Sequence, residues 1–115
     1  MMKTAIIVDD EEAGLENMER LLVFCEDIKV VGKTKVPEEA IDLITEKKPD
    51  ILFLDVEMPR MSGFEVLEIT RNQGLNPITI FTTGYNQYAI KAIKAQAFDY
   101  LLKPIILDEL KETLE

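Results

Sequence analysis

Asp9 and Asp10 stand at the end of the apolar run Thr4-Ala5-Ile6-Ile7-Val8, Asp55 at the end of Ile51-Leu52-Phe53-Leu54, and Lys103 at the end of Tyr100-Leu101-Leu102. Runs of this length and composition read as buried strands. The charged groups that follow them therefore gather at one end of a parallel sheet, where open α/β folds place their chemistry. Three carboxylates and one ammonium at one point, in a chain without histidine, suggest a metal ion and a phosphoryl group. Hard oxygen ligands without imidazole or thiolate suit Mg2+ or Mn2+ rather than zinc. Beside such an ion Asp55 is placed to act as a nucleophile toward a phosphoryl donor, forming an acyl phosphate. Phosphoryl transfer needs mainly positioning and charge neutralisation, which the ion and the compact cation of Lys103 supply together. Thr82 and Thr83 close the fourth apolar run, and Thr83 offers a hydroxyl to a phosphoryl oxygen.

Each residue alone has a plainer reading. Asp9 and Asp10 suit a helix start, Asp55 a turn, Thr83 a strand end, Lys103 a solvated charge and Tyr100 a core aromatic. Only their joint placement favours chemistry. Pro104 adds a backbone feature, since the Lys103-Pro104 bond is a candidate for the cis form.

Five strands are expected to position these groups, at residues 5–8, 28–31, 51–54, 78–81 and 98–102. Between them lie helical patterns. Leu15, Met18, Leu21, Leu22 and Cys25 follow the spacing of one helix face. Pro37 with Glu38 and Glu39 suits the first turn of a second helix, which Ala40, Ile41 and Ile44 line and Lys47-Lys48-Pro49 ends. Phe64, Leu67 and Ile69 mark a third, closed by Gly74. Asn86 is a candidate cap for a fourth through Ile93. Leu107, Leu110 and Leu114 mark a fifth, whose start at Ile105-Ile106 lacks a polar cap. The third strand is apolar throughout, as expected when both faces are covered. Five βα units imply a doubly wound parallel sheet of order 2-1-3-4-5 with helices on both faces. In that order the first and third strands are neighbours, which brings Asp9, Asp10 and Asp55 together.

The 115 residues suit one domain with one sheet and its covering helices. A net charge of −9, with no basic patch, argues against contact with nucleic acid or anionic membrane by this stretch itself. The single cysteine, Cys25, permits no internal disulfide and reads as core. No signal peptide is legible, and no apolar run approaches the roughly 20 residues of a membrane span. A cytoplasmic setting is expected.

The stretches Ile6-Ile7-Val8-Asp9-Asp10-Glu11, Leu52-Phe53-Leu54-Asp55-Val56-Glu57-Met58-Pro59-Arg60-Met61-Ser62-Gly63, Phe81-Thr82-Thr83-Gly84 and Asp99-Tyr100-Leu101-Leu102-Lys103-Pro104 occur in this order. Together they resemble the receiver domain of a bacterial two-component response regulator, over nearly the whole chain. The resemblance implies that Asp55 is the phosphoacceptor. It implies that Asp10 binds Mg2+ directly, Asp9 through water, and Glu57 through its backbone carbonyl. Thr83 then matches the switch hydroxyl, Lys103 the phosphate-binding lysine and Tyr100 the aromatic switch position. The implied phosphodonor is a sensor histidine kinase or a histidine phosphotransfer protein. Residues 81–92 and 98–104 further resemble receivers joined to a LytTR-type (LytR/AlgR-type) DNA-binding domain. Residues 1–115 are thus expected to form one receiver domain of a longer protein, with DNA contacted only through a C-terminal output domain.

Rival readings are weaker. Haloacid-dehalogenase-type phosphatases also form an aspartyl phosphate with Mg2+, Thr and Lys. Their nucleophile loop reads Asp-x-Asp, whereas here it is Asp55-Val56-Glu57, and their acidic pair comes late rather than first. A receiver that has lost phosphorylation would lack an acid, the threonine or the lysine. A flavodoxin-like nucleotide binder needs a phosphate-cradling loop after strand one, where this chain has Asp9-Asp10-Glu11-Glu12. The expected role is therefore a phosphorylation-controlled switch, not an enzyme acting on an external substrate. Its altered face would be helix four, strand five and helix five, and that face would mediate phosphorylation-dependent homodimerisation.

Overall fold

The computed structural model describes residues 2–115. Five parallel strands form one sheet in the order β2-β1-β3-β4-β5. They are β1 (Lys3–Val8), β2 (Ile28–Thr34), β3 (Ile51–Asp55), β4 (Ile78–Thr83) and β5 (Asp99–Leu102). The helices are α1 (Glu12–Leu22), α2 (Pro37–Lys47), α3 (Gly63–Asn72), α4 (Ala89–Lys94), preceded by a 3-10 turn at Asn86–Tyr88, and α5 (Leu107–Leu114).

The period of two in a strand sorts side chains to opposite faces of the sheet. Ala5, Ile7, Ile51 and Phe53 pack in one cluster with the apolar sides of α1 and α5. Ile6, Val8, Leu52 and Leu54 pack in a second cluster with α2, α3 and Ala92 of α4. Both faces of β3 are covered, which explains its unbroken apolar run.

Helix ends follow local chemistry. Pro37 opens α2, and Lys48 closes it in a left-handed conformation with φ of 47°, its N–H donating to the Ile44 carbonyl at 2.9 Å. Ser62 caps α3 in a reciprocal box with Glu65, each backbone N–H donating to the other's side chain. Arg71, in the last turn of α3, donates through its guanidinium to the Ala95 and Gln96 carbonyls and so ties down the far end of α4.

Several boundaries differ from the sequence reading. β2 runs on to Thr34, because residues 32–34 pair with residues 6–8 after a register shift. Asp55 and Thr83 lie inside β3 and β4, not just past them: Asp55 pairs with Thr82, and the Val56 N–H continues the ladder to the Thr82 carbonyl at 3.0 Å. Cys25 lies beyond α1, yet stays buried in the turn that follows. The buried face of α3 is Val66, Leu67 and Thr70, with Phe64 and Ile69 half-buried, because Gly63 rather than Phe64 turns inward. Asn86 provides no side-chain cap; it opens the 3-10 turn instead. Phe98 precedes β5 and is exposed, with its N–H held by the Thr79 carbonyl.

Candidate functional site

The C-terminal ends of β1, β3, β4 and β5 carry Asp9, Asp55, Thr83 and Lys103 to one edge of the sheet. Val8 pairs with Leu54, Asp55 with Thr82 and Thr83 with Leu102, so the strands end nearly level. The loop after β1 adds Asp10. Asp9, Asp10 and Asp55 each bring a carboxylate oxygen to within 4.8 Å of the others. Asp9 and Asp55 are buried and Asp10 is half-buried.

Lys103 reaches into this group from β5. Its Nζ lies 2.8 Å from Asp9 Oδ2, 3.5 Å from Asp55 Oδ1 and 3.9 Å from Glu11 Oε1. Its backbone N–H donates to the Thr83 carbonyl at 2.7 Å, and the Lys103-Pro104 peptide bond is cis. Asp9 Oδ1 accepts the Glu11 N–H at 3.0 Å, which pins the loop entering α1.

The electrostatics follow from crowding. Burial pushes the Asp55 carboxyl up to about 8, the Asp9 charge adds to the rise, and Lys103 only partly offsets it before Asp10 raises it again. Burial disfavours the charged Lys103 ammonium, but the hydrogen bond to Asp9 and the charges of Asp55, Asp9 and Glu11 outweigh it and raise its pKa. The site thus holds more negative charge than Lys103 balances. Oxygen donors in this arrangement fit a hard divalent cation.

Thr83 is buried, and its hydroxyl oxygen accepts the Tyr85 N–H at 3.1 Å. Tyr100, paired with Phe81 across β4 and β5, is half-buried against the second core cluster rather than lying at the acidic group. Glu57 and Asp10 line one open cleft of about 500 Å3 with Phe64, Tyr88 and Lys91.

Two features escaped the sequence reading. The Tyr88 hydroxyl donates to Glu57 Oε1 at 2.6 Å, and that bond raises the tyrosine pKa. The two residues are 31 positions apart, so no local pattern signals the pair. Gly63 seats α3 directly on β3: a Cβ there would lie 2.2 Å from the Asp55 carbonyl oxygen. The Met58-Pro59-x-Met61-x-Gly63 spacing marks the glycine, but not what it touches.

Comparisons with known proteins point to one family. The family model described as the response regulator receiver domain matches residues 5–115. The transcriptional regulatory protein BtsR of Salmonella typhi is 43% identical over 113 residues, covering 98% of this chain and 47% of that protein. A response regulatory protein of Shewanella oneidensis is 41% identical over 114 residues, 99% of this chain and 48% of its own length. The chain therefore spans about half the length of the curated relatives it matches. Among solved structures, the REC domain of AraT from Geobacillus stearothermophilus superposes with a TM-score of 0.89 at 34% identity, covering 99% of this chain and 91% of that one. A LuxR-family DNA-binding response regulator from Staphylococcus aureus gives 0.88 at 32%, covering 98% and 96%.

Proposed function

Because this chain belongs to the receiver-domain family of response regulators, we propose that it is a phosphorylation switch whose phosphoacceptor is Asp55. The observation that carries the reading is the meeting of the Asp9, Asp10 and Asp55 carboxylates within 4.8 Å, with the Lys103 ammonium against two of them. An Asp55 oxygen attacks phosphorus, the bond from phosphorus to the donor nitrogen breaks, and the donor imidazole leaves with that electron pair. The donor is a sensor histidine kinase or a histidine phosphotransfer protein. Asp10, Asp55 and the Glu57 backbone carbonyl would hold Mg2+, with Asp9 in support through water as the family resemblance implies; Mn2+ would be an acceptable substitute. The ion would supply charge neutralisation for the transferred group. Lys103 supplies a second positive charge from the end of β5, and Thr83 turns its hydroxyl from the Tyr85 amide to a phosphoryl oxygen.

That movement vacates space beside β4, which Tyr100 fills from β5. The result is a two-state packing change biased by one local hydrogen bond. It alters the face formed by α4, β5 and α5, on which the phosphorylated form pairs with a second copy. The transcriptional names of the longer relatives, and the resemblance of residues 81–92 and 98–104 to LytTR-linked receivers, support an output on DNA through another domain. The chain catalyses only its own phosphorylation and dephosphorylation, and acts in the cytoplasm. Among the described residues, no helix is long and apolar enough to cross a membrane.

The test is intact mass after incubation with acetyl phosphate, with and without Mg2+, alongside Asp55→Asn. One phosphoryl adduct that needs Mg2+ and is missing from the variant is expected. No adduct from acetyl phosphate or from a panel of kinases would refute the reading.

A further inference from the structure

The backbone does not demand glycine at position 14. Gly14 lacks the left-handed φ of Gly74 and stands in the first turn of α1, where alanine is the better helix former. What excludes a side chain is Asp9. A Cβ on Gly14 would lie 2.1 Å from Asp9 Oδ2 and 2.5 Å from its Cγ. The Asp9 carboxylate is folded back against α1, and in that pose both its oxygens are engaged. Oδ2 lies 2.8 Å from Lys103 Nζ, and Oδ1 accepts the Glu11 N–H at 3.0 Å. The same carboxylate belongs to the acidic group with Asp10 and Asp55, so a cation that draws on it through water competes with Lys103 for it.

We propose that Gly14 is a positioning residue: by leaving room for Asp9 to fold onto α1 and hold Lys103, it weakens the resting site's grip on a divalent cation. This rests on the cation-dependent reading given above. The atoms in the way of a methyl group are the far end of a side chain, so Gly14→Ala folds and Asp9 gives way. It swings off α1, releases Lys103 and turns toward Asp10 and Asp55.

The experiment has two readouts on the purified chain. Calorimetric titration with MgCl2 is expected to show roughly threefold to tenfold tighter binding in Gly14→Ala, the scale of losing one partly screened ion pair as competitor. Unchanged or weaker binding overturns the proposal. Tm of the metal-free protein is then measured for Gly14→Ala with Asp9 present and in an Asp9→Ala background. With Asp9 removed, alanine is expected to raise Tm by about 2–6 °C through helix propensity alone. With Asp9 present the gain is smaller or reversed, and strict additivity of the two substitutions overturns the contact. A parent chain that takes up no Mg2+ refutes the cation reading itself, while coupling in the metal-free Tm still decides whether Gly14 and Asp9 act together.

Discussion

At the scale of single residues, Asp55 dominates. Its carboxyl is raised from 3.8 to about 8 by burial first and by Asp9 second. The folded state therefore binds a proton there that the unfolded chain gives up. Stability from this group is complete below 3.8 and is lost as pH climbs through about 8. In calorimetric scans without metal, the wild-type contribution should fall between about pH 4 and pH 8, and Asp55→Asn should flatten that slope and stabilise the protein at the alkaline end by about 1–3 kcal/mol. An unaltered slope in the variant would mean that Asp55 is not the group responsible. The same proton bears on metal uptake, since a coordinating carboxylate must be ionised. Near neutral pH, Mg2+ binding should release close to one proton, read from titration heats in two buffers of different ionisation enthalpy. Equal heats in both would contradict a protonated resting carboxyl. Asp9, Asp10, Asp55 and Lys103 were legible in the sequence because each follows a strand-like apolar run, and parallel strands share an end. What Asp9 leans on was not legible: its contact with Gly14 depends on a side-chain rotamer, which no spacing encodes.

At the scale of elements, α3 and α4 behave oppositely. The start of α3 is fixed twice, by the Ser62–Glu65 box and by Gly63 against the Asp55 carbonyl. Ser62→Ala should cost about 1 kcal/mol, lowering Tm by about 4 °C. Gly63→Ala meets rigid backbone rather than a mobile side chain and should cost more, about 2–3 kcal/mol. Equal Tm losses would show that the glycine is not wedged. In α4 only Ala92 is buried. Its amides, from Ala89 to Lys94, should exchange with deuterium faster than those of α1 or α3, through local opening rather than global unfolding. Protection equal to that of α1 would refute this. The sequence marked α4 as apolar, with Ile90 and Ile93 at helical spacing, but their exposure depends on how a short helix is laid across the sheet. Tertiary placement, not periodicity, decides that. The extended β2 was hidden for a related reason: Gly32-Lys33-Thr34 is not strand-like by itself and becomes strand only by pairing with β1.

For the molecule as a whole, the sheet divides the protein into two cores, one under α1 and α5 and one under α2, α3 and α4. One group of exposed apolar side chains lies near α4 and β5, where Ile90 is 68% exposed, Ile93 74% and Phe98 58%; a second, Val23 and Phe24, follows α1. On the proposed dimer face the first group supplies the area lost to water on pairing. Ile90→Ser with Ile93→Ser should abolish association induced by beryllofluoride in analytical ultracentrifugation while leaving phosphorylation of Asp55 intact. Unimpaired association would move the interface elsewhere. The strand order and site were readable in the chain because five βα units leave few ways to wind a parallel sheet. The Tyr88–Glu57 pair was not, since it joins the loop after β3 to the 3-10 turn before α4, 31 positions apart. The Arg71 guanidinium, fastened to the Ala95 and Gln96 carbonyls, sets a limit on how this molecule can speak to others. With its far end tied to Arg71 and its first turn following directly on Tyr88, α4 is held at both ends, so on the proposed switch a change passed to it from the Asp55 side would tilt the helix about Arg71 rather than slide it.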